Sequence, residues 1–157
     1  MNAEPVLATI AKALGDTRLD AVLVGNAAAA LQGAPVTTLD FDFMFRDTLL
    51  NQKKIKKLAE SLGMSCSQPF HPASSLYRLV EPESGLQLDF MSRMDGVKSF
   101  ESLKSRAAEV RFAGARLRVA DLADIIRSKR ALGRPKDLAV LDILEKTQNE
   151  KEKAAQE

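Results

Sequence analysis

Leu39-Asp40-Phe41-Asp42-Phe43-Met44-Phe45 alternates in the manner of a half-buried strand. Successive side chains on a strand point to opposite sides, so Leu39, Phe41, Phe43 and Phe45 are expected on one face and Asp40, Asp42 and Met44 on the other. Aspartate is disfavoured in strands, so two on the same face need a reason. At a rise of roughly 3.3 Å per residue their Cα atoms lie about 6.6 Å apart, a gap that two carboxylates can close around a hard cation. Magnesium takes oxygen ligands at about 2.0–2.1 Å and keeps waters and substrate phosphates in its shell. A strand-borne Asp-x-Asp suits that chemistry.

The residues before this strand extend the reading. Ala21-Val22-Leu23-Val24 is a short apolar run ending at Gly25-Asn26, followed by an Ala-rich helical stretch from Ala27 to Leu31 and a turn at Gly33 and Pro35. The order is strand, glycine turn, helix, turn, acidic strand. Glycine permits close backbone approach, and the N–H groups opening a helix attract an anion. A phosphate cradle beside a metal site is therefore expected.

Val24-Gly25-Asn26, Gly33-Ala34-Pro35 and Thr38-Leu39-Asp40-Phe41-Asp42 together resemble the signature of the minimal nucleotidyltransferases. The stretch from Asp121-Leu122 through Lys129-Arg130-Ala131-Leu132-Gly133-Arg134-Pro135-Lys136-Asp137-Leu138 is similar to the closing helices of the toxin–antitoxin and abortive-infection branch. These motifs cover most of residues 20–145. The resemblance implies an α+β (mixed α/β) fold: a small mixed sheet flanked by helices, with a C-terminal helical pair. It also implies a third carboxylate on a later strand. Asp89 fills that place, because Leu86-Gln87-Leu88-Asp89-Phe90-Met91 alternates with Asp89 opposite Leu86, Leu88 and Phe90.

The activity so implied is magnesium-dependent transfer of a nucleoside monophosphate from a triphosphate to a hydroxyl, with manganese as the alternative ion. Asp40, Asp42 and Asp89 would be the catalytic carboxylates and metal ligands. Gly25, Asn26 and Thr38 would receive the nucleotide, Lys129 would grip the triphosphate, and Arg134, Lys136 and Asp137 would support it. An RNA end, particularly tRNA, is the favoured acceptor, with a protein hydroxyl behind it and a cognate toxin or antitoxin as a further partner. Two departures support a rival reading, a non-catalytic binding module acting as antitoxin or regulatory partner: Asn26 stands where the family usually has Gly or Ser, and Val36 where many relatives carry Arg. A small-molecule adenylyltransferase is a third option, for which this chain is short unless it dimerises.

Lys129 also has an argument from spacing. Leu122, Ile125, Ile126 and Lys129 follow one helical stripe, so the lysine continues an apolar face and needs an anion. Helices are further expected over Pro5–Leu14, closed by Gly15; over Asp47–Leu62, capped by Asp47 and closed by Gly63; and over Ser99–Ala108. A hairpin joins Leu76–Val80 to Leu86–Met91, and two strands flank Gly114. Gly133 ends the helix that Ala120-Asp121 opens, and Pro135 starts the next. His71, between prolines, reads as a loop residue, Tyr77 as a strand aromatic, and Cys66 as a small, at least partly buried hydrophobe.

With 157 residues, 45% of them hydrophobic, one domain over 1–147 is expected, and residues 148–157, lacking an apolar stripe, are expected to fray as a charged tail. A net charge of +2 is too small to announce a nucleic-acid binder. One cysteine excludes an intrachain disulfide. No apolar run approaches the roughly 20 residues that span a bilayer, and the start lacks the features of a signal peptide. A cytoplasmic location without membrane contact is the resulting expectation.

Overall fold

The computed structural model describes residues 3–70 and 75–156; His71 lies outside them. In chain order the elements are α1 (Ala3–Thr17), β1 (Ala21–Val24), α2 (Gly25–Leu31), β2 (Asp40–Phe45), α3 (Leu49–Leu62), β3 (Ser65–Ser67), β4 (Leu76–Val80), β5 (Gln87–Met91), α4 (Phe100–Arg106), β6 (Ala108–Phe112), β7 (Ala115–Val119), α5 (Leu122–Leu132) and α6 (Pro135–Gln156). The strands form one seven-stranded mixed sheet in the order β3-β4-β5-β2-β1-β7-β6. β2 runs parallel to β5 and β1 parallel to β7, while the other neighbours are antiparallel. This is the mixed sheet with flanking helices and a closing helical pair that the sequence implies.

The phase of β2 holds over the strand. Phe41, Phe43 and Phe45 are buried, Asp40 is exposed and Asp42 half-buried. Phe43 stacks on its register partner Phe90 with ring centroids 4.9 Å apart, and Phe45 meets Tyr77 edge-on at 5.9 Å. Full burial of such side chains contributes roughly 1.5–3 kcal/mol each, which pins the register of the acids between them. Leu39 departs from the expected pattern. It precedes the strand and is 56% exposed. Met44 lies on the acid face yet is buried, because that face is covered at its level by the walls of a cleft.

Several boundaries differ from the sequence reading. Gly15 does not close α1, which runs two residues further. The stop is Arg18 in the left-handed region (φ 57°), where the N–H groups of Arg18 and Leu19 return to the carbonyls of Gly15 and Leu14. Thr48 rather than Asp47 caps α3, accepting from the Asn51 N–H; Asp47 instead accepts from Gln52. Cys66 is exposed, since β3 is a sheet edge with no buried residue. The stretch from Gln148, expected to fray, continues as the last exposed turns of α6 to Gln156. Its Glu, Lys, Ala and Gln residues are good helix formers, and Lys151 donates to Gln32 Oε1 at 2.8 Å.

The C-terminal signals hold. Gly133 caps α5 in the left-handed conformation (φ 61°), and Pro135 opens α6. No helix among the described residues is long and apolar enough to cross a membrane.

Candidate active site

β1 and β2 pair so that Val24 faces Asp42. The chain then turns at Gly25, whose φ of +68° lies where L side chains are strained, and a Cβ there would stand 2.9 Å from Asp42 Oδ2. The glycine is needed twice, for its backbone angle and for the approach of the carboxylate. Next to it, Asn26 Oδ1 is buried with no hydrogen-bond partner among the described residues. A buried acceptor left unsatisfied costs about 1–3 kcal/mol.

In the parallel register of β2 and β5, Asp42 stands directly opposite Asp89, with Asp40 two residues back on the same face. Burial pushes the Asp42 carboxyl up to about 6, and the charges of Asp89 and Asp40 add to this while Lys129 and Arg78 offset part of it. The carboxylates of Asp40 and Asp42 accept no hydrogen bond among the described residues. Asp89 is differently placed. Arg78, its antiparallel partner on β4, donates Nε to Oδ1 at 2.9 Å and Nη2 to Oδ2 at 3.1 Å, and Gln87 Nε2 adds a contact at 3.2 Å.

Asp42 and Gly25 form part of the floor of a cleft of about 820 Å³, walled by the loop Ser92–Ser99 and by residues of α5 and α6. Lys129 lines it, with its side chain only 13% exposed and Nζ 3.8 Å from Asp137 Oδ1. Burial pulls the Lys129 ammonium below its ordinary value, and the charges of Asp137 and Asp42 oppose that pull. Asp137 is buried and holds Arg134 in a fork, Nε at 2.6 Å and Nη2 at 3.1 Å. Burial pushes the Asp137 carboxyl up, but the hydrogen bonds and charges of Arg134 and Lys129 outweigh it and leave it below the usual carboxylate range.

Of the residues singled out from sequence, the cleft brings together Gly25, Asp42, Lys129, Arg134 and Asp137. Asn26 adjoins Gly25. Asp40 and Asp89 share the face of Asp42 but are not among the cleft-lining side chains. Thr38 is half-buried and spends its hydroxyl on the backbone of Asp40, and Lys136 is exposed outside the cleft. Both departures are local: a short turn engages Thr38, and the first turn of α6 directs Lys136 away from the cleft.

Sequence reasoning missed Arg78, although the symmetry of the hairpin pairs residue 78 with 89. It also missed the cleft-lining loop with Arg93 and Lys98, which has no periodicity to read. Among the described residues, no three His, Cys, Asp or Glu side chains are gathered as a metal cage. Two carboxylates sharing a face, neither hydrogen-bonded and one raised by burial and repulsion, still fit one hard cation.

Solved structures share the mixed sheet and flanking helices that carry this site. A candidate nucleotidyltransferase from Thermotoga maritima is similar at TM-score 0.66 and 21% identity, over 93% of this chain and 92% of that one. The antibiotic-resistance factor ANT(2'')-Ia, solved with adenylyl-2''-tobramycin, is similar at TM-score 0.63 and 16% identity over 94% of both chains. The lincomycin-bound lincosamide antibiotic adenylyltransferase LnuA gives TM-score 0.62 and 16% identity over 90% of this chain and 96% of that one.

No curated protein matches the sequence. Residues 4–156 match the family described as "Nucleotidyl transferase of unknown function (DUF2204)", and the chain belongs to that family as a nucleotidyltransferase enzyme.

Proposed function

We propose that this enzyme moves a nucleoside monophosphate from a triphosphate to a hydroxyl of an RNA end, with magnesium held by Asp40 and Asp42. The observation that carries the reading is Asp42: a half-buried carboxylate without a hydrogen-bond donor, pressed against the Gly25 turn and facing the cleft that Lys129 lines. A divalent cation bound there would stabilise charge on the transferring phosphoryl group. Lys129 supplies a fixed cation for the triphosphate, with Arg134 beside it, and Asp137 holds both in place. Gly25 and Asn26 set the floor on which the phosphates lie. Asp89 adds the third negative charge of the face.

Arg93 and Lys98 on the cleft-lining loop favour a phosphate-bearing acceptor. A small-molecule hydroxyl is the second reading. It is favoured by a cleft volume within the roughly 300–1,000 Å³ of small-ligand sites and by the near-complete overlap with two antibiotic-bound proteins. The test is incubation of the purified chain with each of the four triphosphates, labelled at the α-phosphate, in magnesium, against total RNA and against a panel of aminoglycosides and lincosamides. Label is expected in RNA for at least one triphosphate and absent with Asp42→Asn. Label confined to a small molecule selects the second reading. No label, together with no thermal stabilisation by magnesium and triphosphate, overturns both and leaves a binding module. A toxin–antitoxin role adds one expectation, toxicity on expression that a co-expressed neighbouring gene relieves.

A further inference from the structure

We infer that Arg78 occupies the place of a second cation, so that the carboxylate face takes one divalent ion, on Asp40 and Asp42, while Asp89 anchors the guanidinium. The inference rests on the nucleotidyltransferase reading of Asp42 given above. Paired-ion sites use two cations to stabilise the entering and leaving oxygens, and that demands ligand oxygens open to both ions. Asp89 does not offer them. Both of its oxygens face the planar fork of Arg78, at 2.9 and 3.1 Å, and Gln87 takes a further lone pair at 3.2 Å.

Three of about four acceptor sites on a carboxylate are thereby filled, on a side chain only 11% exposed. An ion seated on Asp89 would have to displace the fork and leave a guanidinium, charged at every accessible pH, beside a divalent cation. Asp40 and Asp42 present the contrast, since neither carboxylate is engaged by a donor among the described residues.

Bidentate arginine–carboxylate pairing fixes geometry as well as charge. The compensation Arg78 provides is therefore rigid and does not depend on the metal supply.

The test counts ions rather than turnover. Manganese bound per chain is measured by anomalous scattering from crystals of the full chain grown with a non-hydrolysable triphosphate, and by electron paramagnetic resonance in solution. Wild type and Arg78→Lys are expected to hold one ion, on Asp40 and Asp42. Arg78→Gln frees Asp89 and should hold two, and Arg78→Gln with Asp89→Asn should return to one. Two ions in the wild type overturn the inference while leaving the nucleotidyltransferase site intact. One ion in an Arg78→Gln chain that melts cooperatively also overturns it. If Arg78→Gln does not fold, the wild-type count decides alone. No ion and no bound triphosphate in the wild type remove the site itself, and the inference with it.

Discussion

Asp20 and Asp42 stand at opposite ends of the same strand pair, and their surroundings could hardly differ more. Asp20 immediately precedes β1, where Arg46 Nε reaches it at 2.9 Å, Lys104 Nζ at 2.9 Å and Arg118 Nη1 at 3.6 Å. Burial pushes its carboxyl up, but the hydrogen bonds and charges of Arg46 and Lys104 more than reverse that and hold it below the usual range. Asp42, opposite the last residue of β1, has two acids for neighbours and rises to about 6. One acid is paired directly with cations supplied by the fold; the other feels Lys129 and Arg78 only at a distance and has no direct pair. A carboxylate that ties elements together and one kept ready for an external cation are thus distinguished by their direct partners as well as by burial, which is the larger cause of the rise at Asp42.

The sharpest way to break the contrast is to neutralise each acid in turn. Asp42→Asn should cut transfer by about 10²–10³-fold, the scale seen when a charge-stabilising group is removed, while the melting temperature of the metal-free chain holds or rises, because a repelled charge is lost. A variant that melts earlier would place Asp42 with the structural acids. Gly25→Ala tests the same point through geometry. The new Cβ meets the mobile end of Asp42 rather than backbone, so the carboxylate must shift. Left-handed strain of about 1–3 kcal/mol should come with a transfer loss that the fall in stability does not account for, measured on protein that circular dichroism shows to be folded.

Asp20→Asn should do the reverse. It leaves three half-exposed cations sharing an amide, so a loss of about 1–2 kcal/mol in denaturant unfolding is expected, with kcat unchanged once the protein is folded. Lys129→Met keeps the packing of the stem and deletes the charge. Asp137 retains Arg134, so stability should hold while triphosphate affinity falls about tenfold, or about 1.4 kcal/mol. Unchanged affinity by calorimetry would return Lys129 to a structural pairing with Asp137.

The residues that define the face were legible because local period and global fold agree there. β2 and β5 alternate over apolar residues that the core buries, and α5 carries Lys129 on the stripe of Leu122, Ile125 and Ile126. Gly133 and Pro135 mark boundaries by backbone chemistry that tertiary contacts do not override. Gly15 failed as a stop because glycine permits the left-handed turn without compelling it, and the chain made the turn at Arg18. Asp47 and Thr48 are adjacent capping residues, and only the geometry of the strand exit selects between them. The clamp of Arg106 and Arg127 on the buried Asp124 joins α4 to α5, a contact no single-segment pattern contains. Arg78 is the instructive case. Its pairing with Asp89 follows from counting back from the turn, yet what it does to the site appears only once both strands are laid beside β2.

The smallest effect is also the most direct reading of the contrast, the dependence of stability on pH. For Asp42 the folded value, about 6, lies above the ordinary 3.8, so between about pH 4 and 6 the folded chain holds a proton that the unfolded chain has released. Stability of the metal-free protein therefore gains as pH falls through that window. Asp20 has the opposite sign: its folded value lies below 3.8, so its contribution is present above that pH and is lost as pH falls through the folded value. Metal-free wild type should melt higher near pH 5 than at pH 7.5, at about 2–4 °C for each kcal/mol. Asp42→Asn should flatten that limb, and Asp20→Asn should flatten only the acid limb below about pH 4. Magnesium added at pH 7.5 should erase the Asp42 limb in the wild type, since a bound cation favours the ionised carboxylate. Thermal melts at four pH values, with and without the ion, decide it: identical wild-type and Asp42→Asn profiles would mean that Asp42 finds its compensation within the fold, as Asp20 does.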